Sequence, residues 1–144
     1  MNRNRHQGFT LIEVLIVVVI MAVLAATIIP QFSTSTEDAK LNQQEFNVHT
    51  LRSQIQLYKI QHGGKYPTIQ DNGLPELVSK TDVDGTINNT SGEYGPYILE
   101  ELPRNPFTNS NTVSASTTGN EATGGGWLYD VNTGMIWPDK PAGN

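Results

Sequence analysis

Hydrophobic residues are concentrated in one run near the start of the chain, residues 9–29, which ends directly before Pro30. As an α-helix, this run is about 32 Å long, close to the roughly 30 Å thickness of a bilayer's hydrocarbon core. The pattern therefore predicts a membrane-spanning helix. Arg3 and Arg5 precede it, and because positive charge stays on the cytoplasmic side, we expect the C-terminal part to be exported.

One ionisable residue, Glu13, interrupts the apolar run. A lone carboxylate at membrane depth costs on the order of 2 to 3 kcal/mol or more unless it is paired. An ordinary membrane anchor has no use for this charge, and the apolar core of a secretory signal peptide accommodates it poorly. A signal peptide nevertheless remains a rival interpretation, because Val23-Leu24-Ala25 is compatible with a cleavage site.

A second helical pattern follows over residues 31–62, which contain neither Pro nor Gly and stop at two glycines. At 100° per residue, one apolar stripe should face the core of the exported domain; it consists of Leu41, Val48, Leu51, Ile55 and Tyr58. A second, narrower stripe lies on another side and consists of Phe46, Leu57 and Ile60. Two interpretations of the second stripe stay open: a contact between subunits, or a surface covered by a loop.

Short apolar runs and turn residues alternate in the C-terminal half. Residues 74–80 predict a short helix and residues 94–102 a short strand. Residues 81–93 and 108–126 predict exposed loops, because turn-forming polar residues dominate them. Residues 127–137 predict a β-hairpin whose two tryptophans supply core area on either side of a glycine-containing turn.

The composition limits the possible folds and the possible classes of binding partner. The chain of 144 residues suffices for one exported domain at residues 30–144, and the absence of cysteine means that packing or a metal must hold it together. Removing the two arginines at the N-terminus takes the formal charge from −5 to −7, which argues against nucleic-acid binding. We expect an α+β fold in which the long helix packs on a small antiparallel sheet.

Catalytic patterns are absent from the sequence. His6, His49 and His62 have no Ser/His/Asp or Cys/His spacing around them. The glycines at 124–126 lack the Lys-Ser/Thr that a phosphate-binding loop requires. We therefore predict that the chain is not an enzyme.

Acidic and amide side chains make calcium a candidate ligand. Asp82, Asp84 and Asn88 lie in one turn-rich loop, and hard oxygen ligands in a flexible loop suit this ion. The Asp-Val-Asp-Gly segment departs from an EF-hand loop at the first and last ligand positions. Solvated turn residues are the alternative interpretation.

The segment Arg-His-Gln-Gly-Phe-Thr-Leu-Ile-Glu, residues 5–13, resembles the processing site of type IV prepilins and type II secretion pseudopilins. The resemblance implies that a membrane-embedded prepilin peptidase cuts between Gly8 and Phe9 and that Phe9 is then N-methylated. Residues 1–8 would be the leader. It also implies that Glu13 pairs with the N-terminal amine of a neighbouring subunit in a filament.

A second resemblance is carried by Gly64-Lys65-Tyr66-Pro67 and by the proline-rich segment 102–107, which are similar to segments of the major pseudopilin of type II secretion. It implies a structural subunit of a filament whose growth pushes folded proteins outward. Its partners would be further copies, other pseudopilins, the inner-membrane assembly platform and membrane lipid. Because major pseudopilins bind calcium in a C-terminal loop, Asp130 and Asp139 also become candidate ligands.

The same resemblance implies a location in the bacterial inner membrane, with residues 9–29 as a single span and residues 30–144 in the periplasm. Other functions remain open: a subunit of a type IV pilus or of a DNA-uptake pseudopilus, or a membrane-anchored periplasmic binding module. Many type IV pilins close their C-terminal region with a disulfide, so the missing cysteines favour secretion. An unprocessed Gly8 would favour the binding module.

Overall fold

A computed structural model describes residues 8–142, with the exception of the side chains of residues 27–35. Of the predicted leader, residues 1–8, all but Gly8 therefore lie outside the description. The chain divides into two compact units, Met1–Ala39 and Lys40–Asn144.

A single long helix, α1 (Leu11–Gln61), continues past Pro30 into the second unit. It ends where Gly63 and Gly64 adopt φ angles of 62° and 91°. The amide of Gly64 donates to the carbonyl of Lys59 over 2.8 Å and so satisfies a carbonyl of the last turn. Only glycine adopts these φ angles without strain, which confirms the predicted end of the helix.

The large apolar side chains of the first unit are exposed from Phe9 to Leu24. Over the part of the chain that the structure describes, no helix has both the length and the apolar character needed to cross a membrane. The last three residues of the predicted span, 9–29, belong to the stretch whose side chains lie outside the description.

Four of the five predicted core positions on α1 are buried in the second unit, namely Val48, Leu51, Ile55 and Tyr58. The prediction is wrong for Leu41, which is 54% exposed. A helical wheel gives the direction of a side chain but not how far along the helix the covering elements extend. Here residues 40–43 are all exposed. The rest of the core consists of Leu74, Leu77, Leu102, Val113, Trp127, Tyr129 and Ile136.

Three short strands form the sheet in the order β1-β2-β3: β1 (Val113–Ala115), β2 (Trp127–Tyr129) and β3 (Ile136–Pro138). Strands β2 and β3 are antiparallel, with Leu128 opposite Trp137, which confirms the predicted hairpin. Strand β1 runs parallel to β2. The α+β class is therefore correct, but the sheet is mixed and the prediction of a purely antiparallel sheet is wrong.

Strand β1 lies inside the segment predicted to be a loop, residues 108–126. Its backbone is held from both sides, because Val113 N donates to Asn72 O over 2.7 Å and Trp127 N donates to Thr112 O over 2.8 Å. One buried valine among Ser and Thr residues gives no alternating pattern, so these long-range hydrogen bonds, rather than local sequence, define the strand.

The segment predicted as a strand, residues 94–102, is an irregular connection in the structure. The amides of Tyr97 and Ile98 both donate to the carbonyl of Leu77, each over 2.9 Å. These bonds fix the segment to the end of α2 (Pro75–Val78), which is the predicted short helix. Because both amides donate to a single carbonyl, the segment does not make the regular pairing of a ladder.

Tyr66 of the Gly-Lys-Tyr-Pro segment holds the hairpin turn against the end of α1. A Cβ atom at Gly134 would lie 2.2 Å from the Tyr66 ring, so this contact requires glycine. Lys59 Nζ donates to the Tyr66 hydroxyl over 2.8 Å, and the buried Tyr129 hydroxyl donates to Pro67 O over 3.0 Å. The segment thus joins the helix to the sheet.

Candidate processing and assembly site

The peptide bond between Gly8 and Phe9 lies in non-helical backbone just before α1. Phe9 is 88% exposed. A Cβ atom placed on Gly8 would meet no atom within 4 Å, and its φ lies outside the left-handed region. The fold of the described residues therefore does not require glycine at this position.

Glu13 closes a capping box at the start of α1. Its Oε2 accepts hydrogen bonds from the backbone N and from the Oγ1 of Thr10, both over 2.8 Å. In return, Thr10 Oγ1 accepts from Glu13 N over 3.3 Å. This reciprocal arrangement satisfies donors that the first turn of a helix leaves without partners. The other oxygen, Glu13 Oε1, has no hydrogen-bond partner among the described residues and can accept from another group.

Thr10 is a site residue that the sequence interpretation missed. The signal that identifies it is the Thr-x-x-Glu spacing directly before an apolar run. Because Thr10 already supplies two donors, part of the stabilisation that Glu13 needs in an apolar environment comes from its own chain. The predicted pairing of Glu13 with a neighbouring amine would use the remaining oxygen.

The second apolar stripe on α1 is exposed: 67% of Phe46, 43% of Leu57 and 77% of Ile60 are accessible to solvent. We call these three residues the outward face. The alternative in which a loop covers the stripe is therefore wrong for the described residues. On a neighbouring side of the helix, Glu45 Oε1 lies 3.7 Å from His49 Nε2.

The candidate calcium ligands are distributed over separate loops. Both carboxylate oxygens of Asp82 accept from Asn88 Nδ2 over 3.1 Å, and Asp84 Oδ1 accepts from Thr86 N over 2.9 Å. The hydrogen bond from Thr86 holds the pKa of Asp84 below its usual value. Within the described ranges, no three acidic or histidine side chains are grouped so that they could hold a metal ion.

Asp130 stabilises the turn between β2 and β3. Its carboxylate accepts from Asn132 N over 2.9 Å and from Thr133 Oγ1 over 2.8 Å. These bonds, first that from the Asn132 amide, lower the pKa of Asp130. The side chain thus acts as the acceptor of a local turn, as Asp commonly does.

Asp139 is buried and accepts four hydrogen bonds. Oδ1 accepts from the amides of Thr123 and Lys140 over 3.0 and 2.7 Å, while Oδ2 accepts from Gly125 N over 2.7 Å and from the hydroxyl of Thr123. Burial alone would raise the pKa of Asp139, but these hydrogen bonds outweigh burial and lower the pKa below its usual value. The carboxylate fixes the segment before β2 to the end of β3.

Asn105 is a second buried polar residue, and it connects α1 to the sheet. Its Nδ2 donates to Gly126 O over 3.0 Å and to Asp139 O over 2.8 Å. Its Oδ1 accepts from Gln44 Nε2 over 3.2 Å and from Phe107 N over 3.0 Å. No sequence pattern distinguishes this asparagine from those of exposed loops, because its partners are distant in sequence.

Comparison with known families finds two matches along the chain. The model of the prokaryotic N-terminal methylation motif matches residues 3–29, and the model of type II secretion system protein G matches residues 31–123. Together they cover both the apolar run and most of the second unit.

Similar proteins carry the name type II secretion system core protein G. The one from Pseudomonas aeruginosa is 32% identical over 109 residues, which cover 76% of this chain and 73% of that protein. The one from Vibrio cholerae is 31% identical over 136 residues, or 88% and 89% of the two chains. The one from Dickeya chrysanthemi is 37% identical over 104 residues, or 72% and 65%. No solved structure gives a significant match.

Proposed function

The chain belongs to the type II secretion system protein G family, and we propose that its copies assemble into a periplasmic filament, the pseudopilus, whose growth drives protein export. In this role the chain is a structural subunit. Its partners are further copies of itself, other pseudopilins and the inner-membrane assembly platform.

The observation that carries the proposal is the outward face of α1. Phe46, Leu57 and Ile60 lie on the side of the helix opposite to the core, and all three are exposed. Each large apolar side chain that becomes buried between subunits contributes roughly 1.5 to 3 kcal/mol. A repeating filament supplies such a partner surface to every copy, whereas a free monomer leaves the face in water.

The processing site supports the same function. We propose that a prepilin peptidase cuts between Gly8 and Phe9 and that Phe9 is methylated. Glu13 then pairs through Oε1 with the N-terminal amine of a neighbouring copy. The match of the N-terminal methylation motif over residues 3–29 and the accessible backbone before α1 support this order of events.

We place residues 9–29 in the bacterial inner membrane as a single span and residues 30–144 in the periplasm. The N-terminus would be cytoplasmic before processing. The methylation motif and the arginines that precede the apolar run support this orientation.

The proposal is tested in the host by deleting the gene and complementing the deletion with variants. We expect the deletion strain to retain exported proteins in the periplasm and the parental chain to restore both secretion and filaments that can be sheared from cells. The double variant Phe46→Gln, Ile60→Gln should restore neither fully, while the control Gln56→Asn, at an exposed position on the same helix, should restore both. Parental secretion by the deletion strain would contradict the proposed function.

A further inference from the structure

A groove lies on α1 beside the outward face and shares no residue with it. Its apolar lining consists of Leu41, Pro138 and the largely buried Val48, and its polar lining consists of Gln44, Glu45, His49 and Arg52; its volume is about 330 Å³. Leu41 and Val48 are seven residues apart and therefore lie on one side of the helix, about 10 Å from each other along its axis. Leu41 is 54% exposed although its position on the helix predicts a core residue. Leu41 thus offers an apolar surface in this groove that the described chain leaves uncovered.

Arg52 gives this groove a fixed positive charge. Its Nε and Nη2 both donate to the carbonyl of Ile136, over 3.3 and 3.0 Å, which holds the guanidinium beside the groove. The carboxylate of Glu45, which also lines the groove, lies 3.7 Å from His49 Nε2. Among the described residues, no carboxylate lies within ion-pair distance of Arg52. The guanidinium therefore retains donors for an acidic group from outside.

A protrusion with complementary properties lies in the connection that follows α2. It consists of Leu99 and Glu100, and we call it the knob. Leu99 is 79% exposed, which is the largest exposure among the large apolar side chains described in the second unit. It precedes Glu100, whose φ of 66° is unusual for a residue with a side chain, and Glu101 N donates to Leu99 O over 3.0 Å. This tight turn presents an apolar side chain next to a carboxylate. Within the described residues, the Glu100 carboxylate has neither a hydrogen bond nor an ion pair.

We propose that the Leu99–Glu100 turn of one copy docks into the groove of the next copy. Leu99 then packs on Leu41 and Pro138, and the Glu100 carboxylate pairs with the guanidinium of Arg52. The inference rests on the proposed function, because it names the contact by which copies follow one another. The guanidinium of Arg52 complements the carboxylate of Glu100, and the apolar side chain of Leu41 complements that of Leu99.

The proposed contact has the symmetry that a filament needs. The knob and the groove are different surfaces of one chain and have no residue in common. A contact between two different surfaces is heterologous, so each copy that offers its knob keeps its own groove free for another copy. Repetition of this contact adds copies in one direction without closing a dimer.

Cross-linking in cells that assemble the full chain tests the contact directly. The chain contains no cysteine, so introduced thiols report on their own positions only. Copies carrying Leu41→Cys are produced together with copies carrying Leu99→Cys and are oxidised mildly. We expect a covalent dimer from this mixture and none from either variant alone, because a disulfide needs Cα atoms within about 7 Å of each other. The control mixture pairs Leu41→Cys with Val83→Cys, which is exposed elsewhere, and should give no dimer.

A charge exchange tests the ion pair separately. Arg52→Glu and Glu100→Arg should each lower filament yield several-fold, and the double variant should recover most of the parental yield. The control Glu101→Arg, whose parental carboxylate pairs with Arg104 in the same chain, should not be rescued by Arg52→Glu. If Arg52→Glu alone impairs folding, two results still test the contact: the filament yield of Glu100→Arg and the cross-link between positions 41 and 99.

The outcomes distinguish the contact from the function. Parental filaments without the 41–99 cross-link, or with no recovery in the double variant, would overturn the proposed contact and leave the filament function intact. A parental chain that forms no filaments, together with no cross-link in the mixture of the two cysteine variants, would overturn both.

Discussion

Leu51 and Leu57 lie six residues apart on α1, yet Leu51 is fully buried and 43% of Leu57 is exposed. Six residues rotate the side-chain direction by 600°, so the two leucines point about 120° apart. Leu51 belongs to the core cluster of the second unit, while Leu57 belongs to the outward face. One helix thus contributes to the core on one side and exposes the proposed assembly surface on another.

This relationship predicts that the two leucines respond differently to truncation. Leu51→Ala should lower the free energy of unfolding by about 2 to 5 kcal/mol, because it leaves a cavity in the core. Leu57→Ala should leave stability nearly unchanged and reduce filament assembly. Thermal unfolding of residues 31–144, combined with a filament assay in cells, measures both effects. If Leu57→Ala melts as early as Leu51→Ala, the outward face is part of the core and its assignment to assembly is wrong.

Substitution of Glu13 separates its role in capping from its proposed role between subunits. Glu13→Leu should still insert into the membrane, since it gains apolar character, but should fail to assemble. Thr10→Ala removes the capping hydroxyl and keeps the carboxylate; it should weaken the helix start by about 0.5 to 2 kcal/mol and retain part of the assembly. Thr10→Ser, which preserves the hydroxyl, is the matched control. Equal filament yields from Glu13→Leu and the parental chain would rule out an essential pairing role.

The proposed processing should depend on Gly8 for a reason that lies outside the chain. Since a Cβ atom at this position meets nothing within 4 Å, Gly8→Ala should leave the fold intact. We expect the same change to block maturation, because the requirement for glycine then belongs to the peptidase. Intact mass and N-terminal sequencing should show a parental chain that begins at methylated Phe9. A mature N-terminus at Ala26 would instead identify an ordinary signal peptide.

Local patterns in the sequence were sufficient for the elements that depend on neighbouring residues. The stripe around Leu51 and the glycines after it define the helix and its end. The turn with Gly134 between two aromatic runs defines the hairpin. The Thr-x-x-Glu spacing that begins at Thr10 likewise encodes the capping box at the start of α1. Each of these features is encoded within a few residues, so periodicity, turn residues and capping residues reveal it.

Features that depend on distant partners could not be predicted in this way. Strand β1 is three residues long and is fixed by hydrogen bonds to Asn72 and to the hairpin. The exposure of Leu41 depends on where the covering elements stop. The role of Asn105 depends on carbonyl groups that lie 21 and 34 residues further along the chain. In each case the three-dimensional arrangement, rather than residue type, decides the outcome.

The network around Asn105 predicts a strong effect from a nearly isosteric change. Asn105→Asp replaces the amide that donates to Gly126 O and Asp139 O by a carboxylate oxygen, which has nothing to donate. Two buried carbonyl groups then lose their donors and face a buried charge. We expect a loss of about 2 to 4 kcal/mol in the free energy of unfolding, measured in urea at pH 7. Asn120→Asp, at an exposed position, is the control, and an equally small effect from both changes would contradict the role of Asn105 as a connection.

Asp139 predicts how the stability of the second unit depends on pH. Its folded-state pKa lies below the ordinary value of 3.8, since its hydrogen bonds outweigh burial. A group with a lowered pKa contributes its stabilisation above the unfolded pKa, and this contribution is lost as the pH falls through the folded pKa. The parental domain should therefore lose this contribution below about pH 3.8.

Asp139→Asn isolates that contribution. The amide cannot accept all four hydrogen bonds, so the variant should be less stable than the parental domain by about 1 to 3 kcal/mol at pH 7. The difference should shrink as the pH falls below 3.8 towards pH 3, because the unfolded parental chain then binds a proton at Asp139 that the folded chain, with its lowered pKa, resists. Urea unfolding at both pH values, with a calcium chelator present and Glu93→Gln as an exposed control, measures this change. A difference that is equally large at pH 7 and pH 3 would show that packing, rather than the charge of Asp139, holds the segment before β2. A rise in the parental Tm when calcium replaces the chelator would show that the folded domain binds the ion.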